Sequence, residues 1–298
     1  MTLSILIPTY NYNARALVEA LELLASAERV EAEIIVGDDA STSQTNWLDE
    51  VAARYDNLLV MRSSRNLGRA HNLNRMAGKA VGEWFLIMDC DAKVEADFSL
   101  RAYLQAGEAA PVVCGGLRHP DVNPCPDATL RYAYERAADR HRGVAERSLH
   151  PYAQFTTFNL LVRRDVFLAI RFDEACTQYG YEDTLFGAEL ERRGIPLLHI
   201  NNPLVHMGLE PNGVFLKKTE TALRSLVALG ERMEGYSRLE KTANRLRCWH
   251  LDGLAVSAFS KFQQDMRRNL LGLHPRLTIF SLYKLGYFLT LRAGESRQ

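Results

Sequence analysis

The sequence predicts an α/β fold, with a mixed and mostly parallel sheet flanked by helices and a helical region at the C-terminal end. Short aliphatic segments alternate with amphipathic helical segments between Leu3 and Met88, which is typical of βαβ units. Polar residues follow several aliphatic segments directly, as at Asp38 and Asp89. Beyond Gly213 the pattern is helical almost throughout. These observations favour one α/β domain followed by a helical appendage.

The first strand and helix illustrate the two periodicities. The segment 3–7 is aliphatic and closed by Pro8, which indicates a buried strand. Residues 14–27 place leucines on one helical face, which indicates an amphipathic helix. By the same reasoning we expect strands at 33–36, 57–62 and 84–88 and helices at 44–55 and 69–80.

The second part of the chain is predicted from weaker signals. Residues 115–127 contain two glycines and three prolines and read as a loop. Further elements are expected as a strand near 159–163, a helix at 182–193 and strands near 197–200 and 203–206. We place a domain boundary near residue 210.

Composition limits the classes of function. The chain has 298 residues, 47% of them apolar, with 36 basic and 36 acidic residues, so no overall field directs it to nucleic acid. The cysteines are odd in number, without a C-x-x-C pair, and we expect buried thiols in a reducing compartment. They are Cys90, Cys114, Cys125, Cys176 and Cys248.

We expect a cytoplasmic protein, because the first apolar segment is short and lacks a basic leader. The chain from Lys261 onwards carries a net charge of +5 and contains the apolar stretch 277–291. A helix packed in the core or at a homo-oligomer interface is the favoured interpretation of that stretch. The alternative is an interfacial helix that touches the inner face of the cell membrane. It would place at the lipid headgroups the rings of Phe280, Tyr283, Tyr287 and Phe288.

The pair Asp89 and Asp91 is the strongest chemical signal. Both carboxylates directly follow an aliphatic strand, and parallel sheets bind ligands at the carboxyl ends of their strands. Hard oxygen ligands suit Mg²⁺ or Mn²⁺ shared with phosphate oxygens. We therefore expect a divalent cation there.

Three further positions carry candidate polar residues. Asp38 and Asp39 end the second strand, either to cap the next helix or to divide the work, with one accepting a hydrogen bond from the N–H of a base and the other capping the helix. Glu182 and Asp183 open a helix, either to match its dipole or to supply a general base. His206 is a metal ligand only if its strand ends beside Asp91.

At these positions the sequence resembles the family 2 glycosyltransferases. The motifs follow the order of that family across residues 3–208. They are the segments 4–11, 34–41, 66–69 with 72–74, 89–91, 172–174, 179–183, and His206 with Gly208. The remaining third of the chain matches nothing in the family.

The resemblance implies a GT-A fold and transfer of a sugar from a nucleotide diphosphate. The domain 1–210 would comprise a nucleotide-sugar half, about 1–115, and an acceptor half, about 116–210, followed by a helical region at 211–298. The expected donor is a UDP-sugar of the hexosyl or N-acetylhexosaminyl type, and the expected acceptor is a glycan or lipid-linked glycan. The expected mechanism is a metal-assisted, inverting single displacement.

The resemblance also assigns residues. Asp91 would bind Mn²⁺ or Mg²⁺ directly, Asp89 would contact the ribose or a metal-bound water, and His206 would complete the metal shell. Asp183 would be the catalytic base, with Glu182 orienting substrate. The positions that would bind the nucleotide are Pro8, Thr9, Tyr10, Asp38 or Asp39, Arg69 and Asn74.

Two departures from the family concern the first loop and the acceptor side. The first βα turn contains Asn11-Tyr12-Asn13 rather than a simple Asn-x. Tyr181 stands where the family often has a second glycine, and it would narrow the acceptor pocket. With Tyr179 it offers aromatic surface on which a sugar ring can stack.

Three alternatives remain to be weighed. A sugar nucleotidyltransferase or a Rossmann dehydrogenase needs a glycine-rich loop after the first strand, and the segment 8–11 has no glycine. A catalytically inactive nucleotide-sugar or carbohydrate-binding protein of the same fold is the third alternative. The joint presence of four polar residues argues against it: Asp89, Asp91, Asp183 and His206.

Overall fold

The computed structural model describes residues 2–176, 180–233 and 235–295, and the chain divides into two units. The first unit takes the described residues of Met1–Pro120, Asp139–Thr177 and Glu182–Gly208. The second takes those of Asp121–Ala138, Gln178–Tyr181 and Leu209–Gln298. Each unit has hydrophobic clusters of its own.

The strands all belong to the first unit within the described ranges. They are β1 (Leu3–Thr9), β2 (Ala32–Asp38), β3 (Leu58–Arg62), β4 (Trp84–Met88), β5 (Ala92–Lys93), β6 (Val112–Cys114), β7 (Leu117–Arg118), β8 (Asn159–Arg163), β9 (Leu197–His199) and β10 (Leu204–His206). The helices of the chain are α1 (Arg15–Glu28), α2 (Asn46–Arg54), α3 (Arg69–Ala77), α4 (Leu100–Gly107), α5 (Thr129–Asp139), α6 (Val144–Leu149), α7 (Arg164–Ile170), α8 (Glu182–Arg192), α9 (Asn212–Leu229), α10 (Arg238–Cys248), α11 (Asp252–Leu271) and α12 (Leu277–Glu295).

The main sheet is mixed and mostly parallel, as the sequence predicts. Over the described residues its strand order is β3-β2-β1-β4-β8-β6-β9. Strands β3, β2, β1 and β4 pair in parallel, β8 runs antiparallel to both β4 and β6, and β9 is parallel to β6. A second, smaller sheet has the order β5-β10-β7.

Strand β1 shows why the first aliphatic segment lies at the centre of the sheet. Ile5 and Ile7 pack in one hydrophobic cluster and Leu6 in another, so both faces of the strand are covered. The strand runs on through Thr9 and does not close at Pro8 as expected. Pairing of β1 with β4 ends at Leu6. Pro8 lacks an N–H, but no hydrogen bond to β4 is lost, because β1 no longer pairs with β4 at that position.

The second unit is built from helices. Its core includes Leu130 from α5 together with Phe215, Phe259 and Phe280. The helix α12 approaches α11 closely at Gly286, where a Cβ atom would overlap the Phe259 ring. Residues 121–138, which the sequence places in the acceptor half, group with the C-terminal helices because of this long-range packing.

The aromatic residues of α12 face the interior of the second unit. Phe280, Tyr283 and Phe288 are buried, and the Tyr283 hydroxyl donates to Glu220 at 2.7 Å. An interfacial placement of these three rings is therefore wrong, and Tyr287 packs partly buried against the same cluster. Among the described residues, no helix combines the length and hydropathy needed to cross a bilayer.

The cysteines are all free thiols, but their burial differs from the expectation. Cys114 is buried, whereas Cys248 is exposed on α10. The others are partly buried: Cys90, Cys125 and Cys176. Burial as small hydrophobic side chains therefore describes only Cys114 fully.

Candidate functional site

The two aspartates at the end of β2 organise neighbouring loops. Asp39 accepts the N–H groups of Leu67 and Gly68, at 3.0 and 2.8 Å, and so holds the turn that leads into α3. Asp38 accepts the N–H of Ser41 at 3.2 Å. Both carboxylates are buried. Because one backbone donor leaves most lone pairs of a carboxylate unused, Asp38 keeps more capacity for a ligand than Asp39.

The loop after β1 is tied to the loop after β2. The Asn11 side-chain oxygen accepts the N–H groups of Thr42 and Ser43, at 2.8 and 3.1 Å. Thr9 is buried and donates its hydroxyl to the Tyr12 carbonyl at 3.0 Å. Tyr10, by contrast, is 49% exposed. Pro8 is buried in β1. Of the predicted positions in this loop, the Tyr10 ring is the one accessible to a ligand.

Strand β10 ends beside Asp91. His206 is in register with Ala92 of β5, and the Met207 N–H donates to the Asp91 carbonyl at 2.9 Å. His206 Nε2 lies 3.1 Å from Asp91 Oδ2. Gly208 packs so tightly that a Cβ atom there would overlap the Asp91 carboxylate. The His206-x-Gly208 motif thus fixes the position of the Asp91 side chain.

A chain of hydrogen bonds runs from His206 away from Asp91. His206 Nδ1 lies 3.3 Å from His119 Nε2, and His119 Nδ1 lies 2.9 Å from Asp139 Oδ1. Burial opposes the charge of Asp139, but His119 and Arg142 outweigh it and lower the pKa of Asp139. With its proton on Nδ1, His119 donates to Asp139, and His119 Nε2 can then accept the N–H of His206 Nδ1. In that tautomer the lone pair of His206 Nε2 would be available to a cation bound between His206 and Asp91.

The Asp91–His206 pair fits a divalent cation. Two ligand atoms that share an octahedral cation at about 2.1 Å lie about 3 Å apart, close to the 3.1 Å between Asp91 Oδ2 and His206 Nε2. Carboxylate oxygen suits Mg²⁺ and Mn²⁺, and the hydrogen bond from the other ring nitrogen is the usual arrangement of a metal-ligating histidine. Burial and the neighbouring aspartates raise the pKa of Cys90 to about 12, so its thiol adds no charge.

Arg69 joins two of the predicted acidic positions. Its Nε and Nη2 atoms donate to Asp89 Oδ1 at 3.1 and 2.5 Å, and its Nη1 donates to Asp183 Oδ1 at 3.2 Å. Burial tends to lower the pKa of Arg69, but the carboxylates of Asp89, Asp183 and Glu182 have a larger opposite effect. The pKa of Arg69 is therefore raised above its ordinary value. Burial also raises the pKa of Asp89, an effect that Arg69 partly offsets.

Asp183 is held in place from a second direction. It accepts the N–H of Thr157 at 3.1 Å and also the Thr157 hydroxyl. The adjacent Glu182 is different, since burial and the charge of Asp183 raise its pKa. Helix α8 therefore begins with one carboxylate fixed by several donors and one that takes up a proton more readily.

Asn74 has a structural role. Its amide nitrogen donates to the Phe172 carbonyl at 2.8 Å and to Glu174 at 2.9 Å, and its oxygen accepts the Phe172 N–H at 2.9 Å. Both amide hydrogens are used within the protein. This buried side chain holds the segment that precedes α8. Contact of Asn74 with base or phosphate stays a prediction.

Comparison with known proteins identifies the family. The model of glycosyl transferase family 2 matches residues 4–170, more than half of the chain. The chain belongs to this family. A comparison with curated proteins found no significant match.

Solved structures resemble this family 2 glycosyltransferase over nearly its whole length. The mannosyltransferase PcManGT from Pyrobaculum calidifontis, in complex with GDP-Man and Mn²⁺, has 16% identity and a TM-score of 0.58, covering 98% of this chain and 86% of its own. Residues 1–349 of TarS from S. aureus have 17% identity and a TM-score of 0.51, covering 100% and 92%. The complex of the same TarS fragment with UDP-GlcNAc has 16% identity and a TM-score of 0.53, covering 100% and 93%. This likeness confirms the expected GT-A fold.

Several contacts of the site could not be predicted from motifs. Arg69 was expected near the nucleotide, but its contact with Asp183 spans 114 residues of sequence. Thr157 is an ordinary threonine before β8, and His119 lies in a loop rich in glycine and proline. Tyr179, expected to stack on a sugar, lies outside the described residues.

Proposed function

We propose that this family 2 glycosyltransferase moves a sugar from a nucleotide diphosphate to a carbohydrate acceptor by a metal-dependent, inverting displacement. The observation that supports it most is the Arg69 bridge, which joins Asp89 to Asp183 in the unit where Asp91 and His206 lie 3.1 Å apart. A metal pair, a donor-side carboxylate and a candidate base thus occupy one unit. We assign catalysis to the domain 1–210 and treat 211–298 as an accessory helical region.

The donor is proposed to be a UDP-sugar of the hexosyl or N-acetylhexosaminyl type. The base would stack on the exposed Tyr10 ring, beside Pro8 and Thr9, and donate its N–H to Asp38. Asp39 would act indirectly, by holding the turn before α3. The TarS complex with UDP-GlcNAc and the mannosyltransferase complex with GDP-Man support a nucleotide sugar as the donor.

Asp91 and His206 are proposed to hold Mn²⁺ or Mg²⁺, with Asp89 next to them. When bound, such a cation neutralises charge on the diphosphate leaving group. His119 and Asp139 keep His206 Nε2 available as a ligand, through the hydrogen bonds described above. Arg69 balances the negative charge that Asp89 contributes beside the diphosphate.

Asp183 is proposed to accept the proton of the acceptor hydroxyl. A single carboxylate base positioned opposite the leaving group gives inversion at the anomeric carbon. Thr157 and Arg69 would fix the direction of the Asp183 carboxylate. Glu182 would orient the acceptor hydroxyls. Its raised pKa makes it the residue to compare with Asp183 when the base is tested.

The acceptor is proposed to be a glycan or lipid-linked glycan met in the cytoplasm. Contact with the cell membrane is proposed to rely on exposed basic side chains rather than on the buried rings of α12. Among the described residues of the basic C-terminal region, Lys261, Arg268 and Arg276 are exposed. Removing their charge in the full-length protein, and measuring co-sedimentation with anionic vesicles at low and high salt, tests this contact. A homo-oligomer would appear in the same preparations as a larger mass by light scattering.

The proposed activity is tested by screening nucleotide sugars for slow hydrolysis. UDP-GlcNAc, UDP-glucose, UDP-galactose and GDP-mannose are each incubated with the protein in MnCl₂ and in EDTA, and the released nucleoside diphosphate is measured. We expect release from at least one UDP-sugar in MnCl₂ and none in EDTA. Binding of a nucleotide sugar without any release would instead support the inactive binding protein. Release of a nucleoside triphosphate when pyrophosphate is added would support the nucleotidyltransferase.

A further inference from the structure

The second unit contains a cavity of about 520 Å³. Its lining comes from α5, α9, α10 and α12, together with Tyr181, all within the second unit. Cavities of small-molecule sites have volumes of about 300 to 1,000 Å³. The cavity therefore has the size of a ligand site, and none of the proposed donor and metal residues lines it.

Most of the wall is apolar. Tyr134, Phe215 and Phe280 form an aromatic group, with ring centroids 5.4 to 6.1 Å apart. Leu223 and Leu285 also line the cavity. This surface suits an apolar group of a ligand rather than an inorganic ion.

Positive charge interrupts the apolar wall. Lys284 Nζ lies 4.6 Å from the ring centroids of both Tyr134 and Phe280. Neither Lys284 nor Arg238 forms an ion pair with a carboxylate of the described residues, whereas Arg131 is paired with Glu210. The lining also contains one carboxylate, that of Glu135, which lies 3.9 Å from Arg131. The three basic residues Arg131, Arg238 and Lys284 outnumber it, and this excess of positive charge favours an anionic ligand.

Tyr181 forms part of the same wall in a backbone conformation that suits glycine better. Its φ is 72°, in the left-handed region that bulky side chains rarely adopt. Burial, with smaller effects of Tyr134 and Glu240, raises the pKa of Tyr181 to about 12, so the phenol remains a hydrogen-bond donor. Backbone outliers of this kind cluster at ligand sites. In the sequence, Tyr181 directly precedes Glu182.

We infer that this cavity binds an amphipathic organophosphate: an apolar chain lies against Phe215, Phe280 and Leu223, and a phosphate lies on Lys284 and Arg238. In the sequence Tyr181 is followed directly by Glu182 and the proposed base Asp183, and on this continuity of the chain we assign the ligand as the apolar, phosphate-bearing part of the acceptor. The acceptor role rests on the proposed function. Binding of the amphiphile does not.

Binding is tested by calorimetry on the full-length protein without any nucleotide sugar. Octyl phosphate below its micellar concentration is compared with octanol and inorganic phosphate. We expect octyl phosphate to bind at least tenfold more tightly than inorganic phosphate. Lys284→Gln should weaken octyl phosphate at least tenfold and leave octanol unchanged. Lys217→Gln, at an exposed lysine of α9 that does not line the cavity, should bind octyl phosphate as the wild type does.

A second variant separates ligand contact from folding. Tyr181→Phe keeps the ring and removes only the hydroxyl that can donate to a phosphate, so its melting temperature should stay close to that of the wild type while octyl phosphate binds several-fold more weakly. Equal affinity of Lys284→Gln, Lys217→Gln and wild type for octyl phosphate would overturn the inference. So would binding to anionic vesicles without binding to monomeric octyl phosphate, which would indicate a membrane surface instead.

The acceptor role is tested in wild-type protein with a UDP-sugar and MnCl₂. Saturating octyl phosphate should change the rate of donor consumption in the wild type and not in Lys284→Gln. An unchanged rate in the wild type would overturn the acceptor role. Failure of the proposed function is distinguishable, because it appears as no metal-dependent donor consumption at all, while the calorimetry still decides whether the cavity binds the amphiphile.

Discussion

His199 is expected to make the stability of the first unit depend on pH. The ring lies on β9 and is 3% exposed. Its Nδ1 lies 2.8 Å from Arg147 Nη1, and its Nε2 lies 3.0 Å from the Pro151 carbonyl. The guanidinium is always a donor and the carbonyl always an acceptor. The folded state therefore holds the neutral ring, with its proton on Nε2.

The free energy follows from the pKa. Burial lowers the pKa of His199 from 6.5 to about 4, with the Arg147 charge acting in the same direction and the Pro151 hydrogen bond against it. At pH values between about 4 and 6.5, His199 is therefore protonated in the unfolded chain and neutral in the folded chain. The neutral His199 makes its full contribution to the free energy of unfolding above pH 6.5, and this contribution is lost as the pH falls towards 4. Linkage gives a loss of about 2 kcal/mol between pH 8 and pH 5 and about 3 kcal/mol in full.

The assay is urea unfolding at pH 8, 7, 6 and 5, followed by tryptophan fluorescence. Trp47 and Trp84 are buried in the first unit, and Trp249→Phe removes the exposed tryptophan of the second unit from the signal. His199→Gln keeps an acceptor and a donor but cannot titrate. Its unfolding free energy should therefore change by about 2 kcal/mol less than that of the parent between pH 8 and pH 5.

The control is His274→Gln, at an exposed histidine of the second unit. It should keep the pH dependence of the parent. If His199→Gln and the parent lose the same free energy between pH 8 and pH 5, His199 is not held neutral in the folded state and the reasoning is refuted.

Three further predictions concern the site and the C-terminal helix. Asp183→Asn should lower sugar transfer by roughly 10² to 10⁴, the usual value of a general base, with nucleotide affinity retained in calorimetry, while Glu182→Gln should lower transfer less. Gly208→Ala should weaken Mn²⁺ binding at least tenfold, measured by electron paramagnetic resonance, because its methyl group displaces the Asp91 carboxylate. Truncation after Pro275 should abolish the thermal transition of the second unit, because it removes three buried aromatic rings of α12.

Each of these predictions has an outcome that contradicts it. If Asp183→Asn loses nucleotide binding but transfers sugar at the wild-type rate, Asp183 is not the general base. Wild-type Mn²⁺ affinity in Gly208→Ala would show that the Asp91 carboxylate does not need its observed position; Gly213→Ala, where a Cβ atom meets only ordinary contact, is the matched control. A truncated chain that melts as the full-length protein does would show that α12 is not part of the core.

The parallel half of the sheet was predictable because its strands carry their own signal. Strand β4 matches the predicted 84–88, and β8 matches 159–163, since both are aliphatic segments with clear polar boundaries. The two-residue strands β5 and β7 were missed, because such short segments carry no periodicity. The pairing of β5 with β10 is what brings His206 beside Asp91.

The candidate site was only partly predictable for a related reason. Motif position located acidic residues at strand and helix ends, but not which of them contact each other. Arg69 and Asp183 are far apart in sequence, so their ion pair depends on the three-dimensional fold. Asn74 shows what a motif position does not reveal: the sequence suggested a ligand contact and gave no sign that both amide groups bond to the Phe172 backbone.

The central claim, that Asp91 holds the cation on which sugar transfer depends, is tested most directly by turnover of wild type and Asp91→Asn across a MnCl₂ titration. A UDP-sugar that the wild type hydrolyses is the substrate, and far-ultraviolet circular dichroism confirms that both proteins are folded. The account predicts that wild-type turnover saturates with Mn²⁺ and that Asp91→Asn stays at the EDTA level, since loss of a metal ligand removes several kcal/mol of transition-state stabilisation. Turnover of Asp91→Asn near the wild-type rate at saturating Mn²⁺ would contradict it.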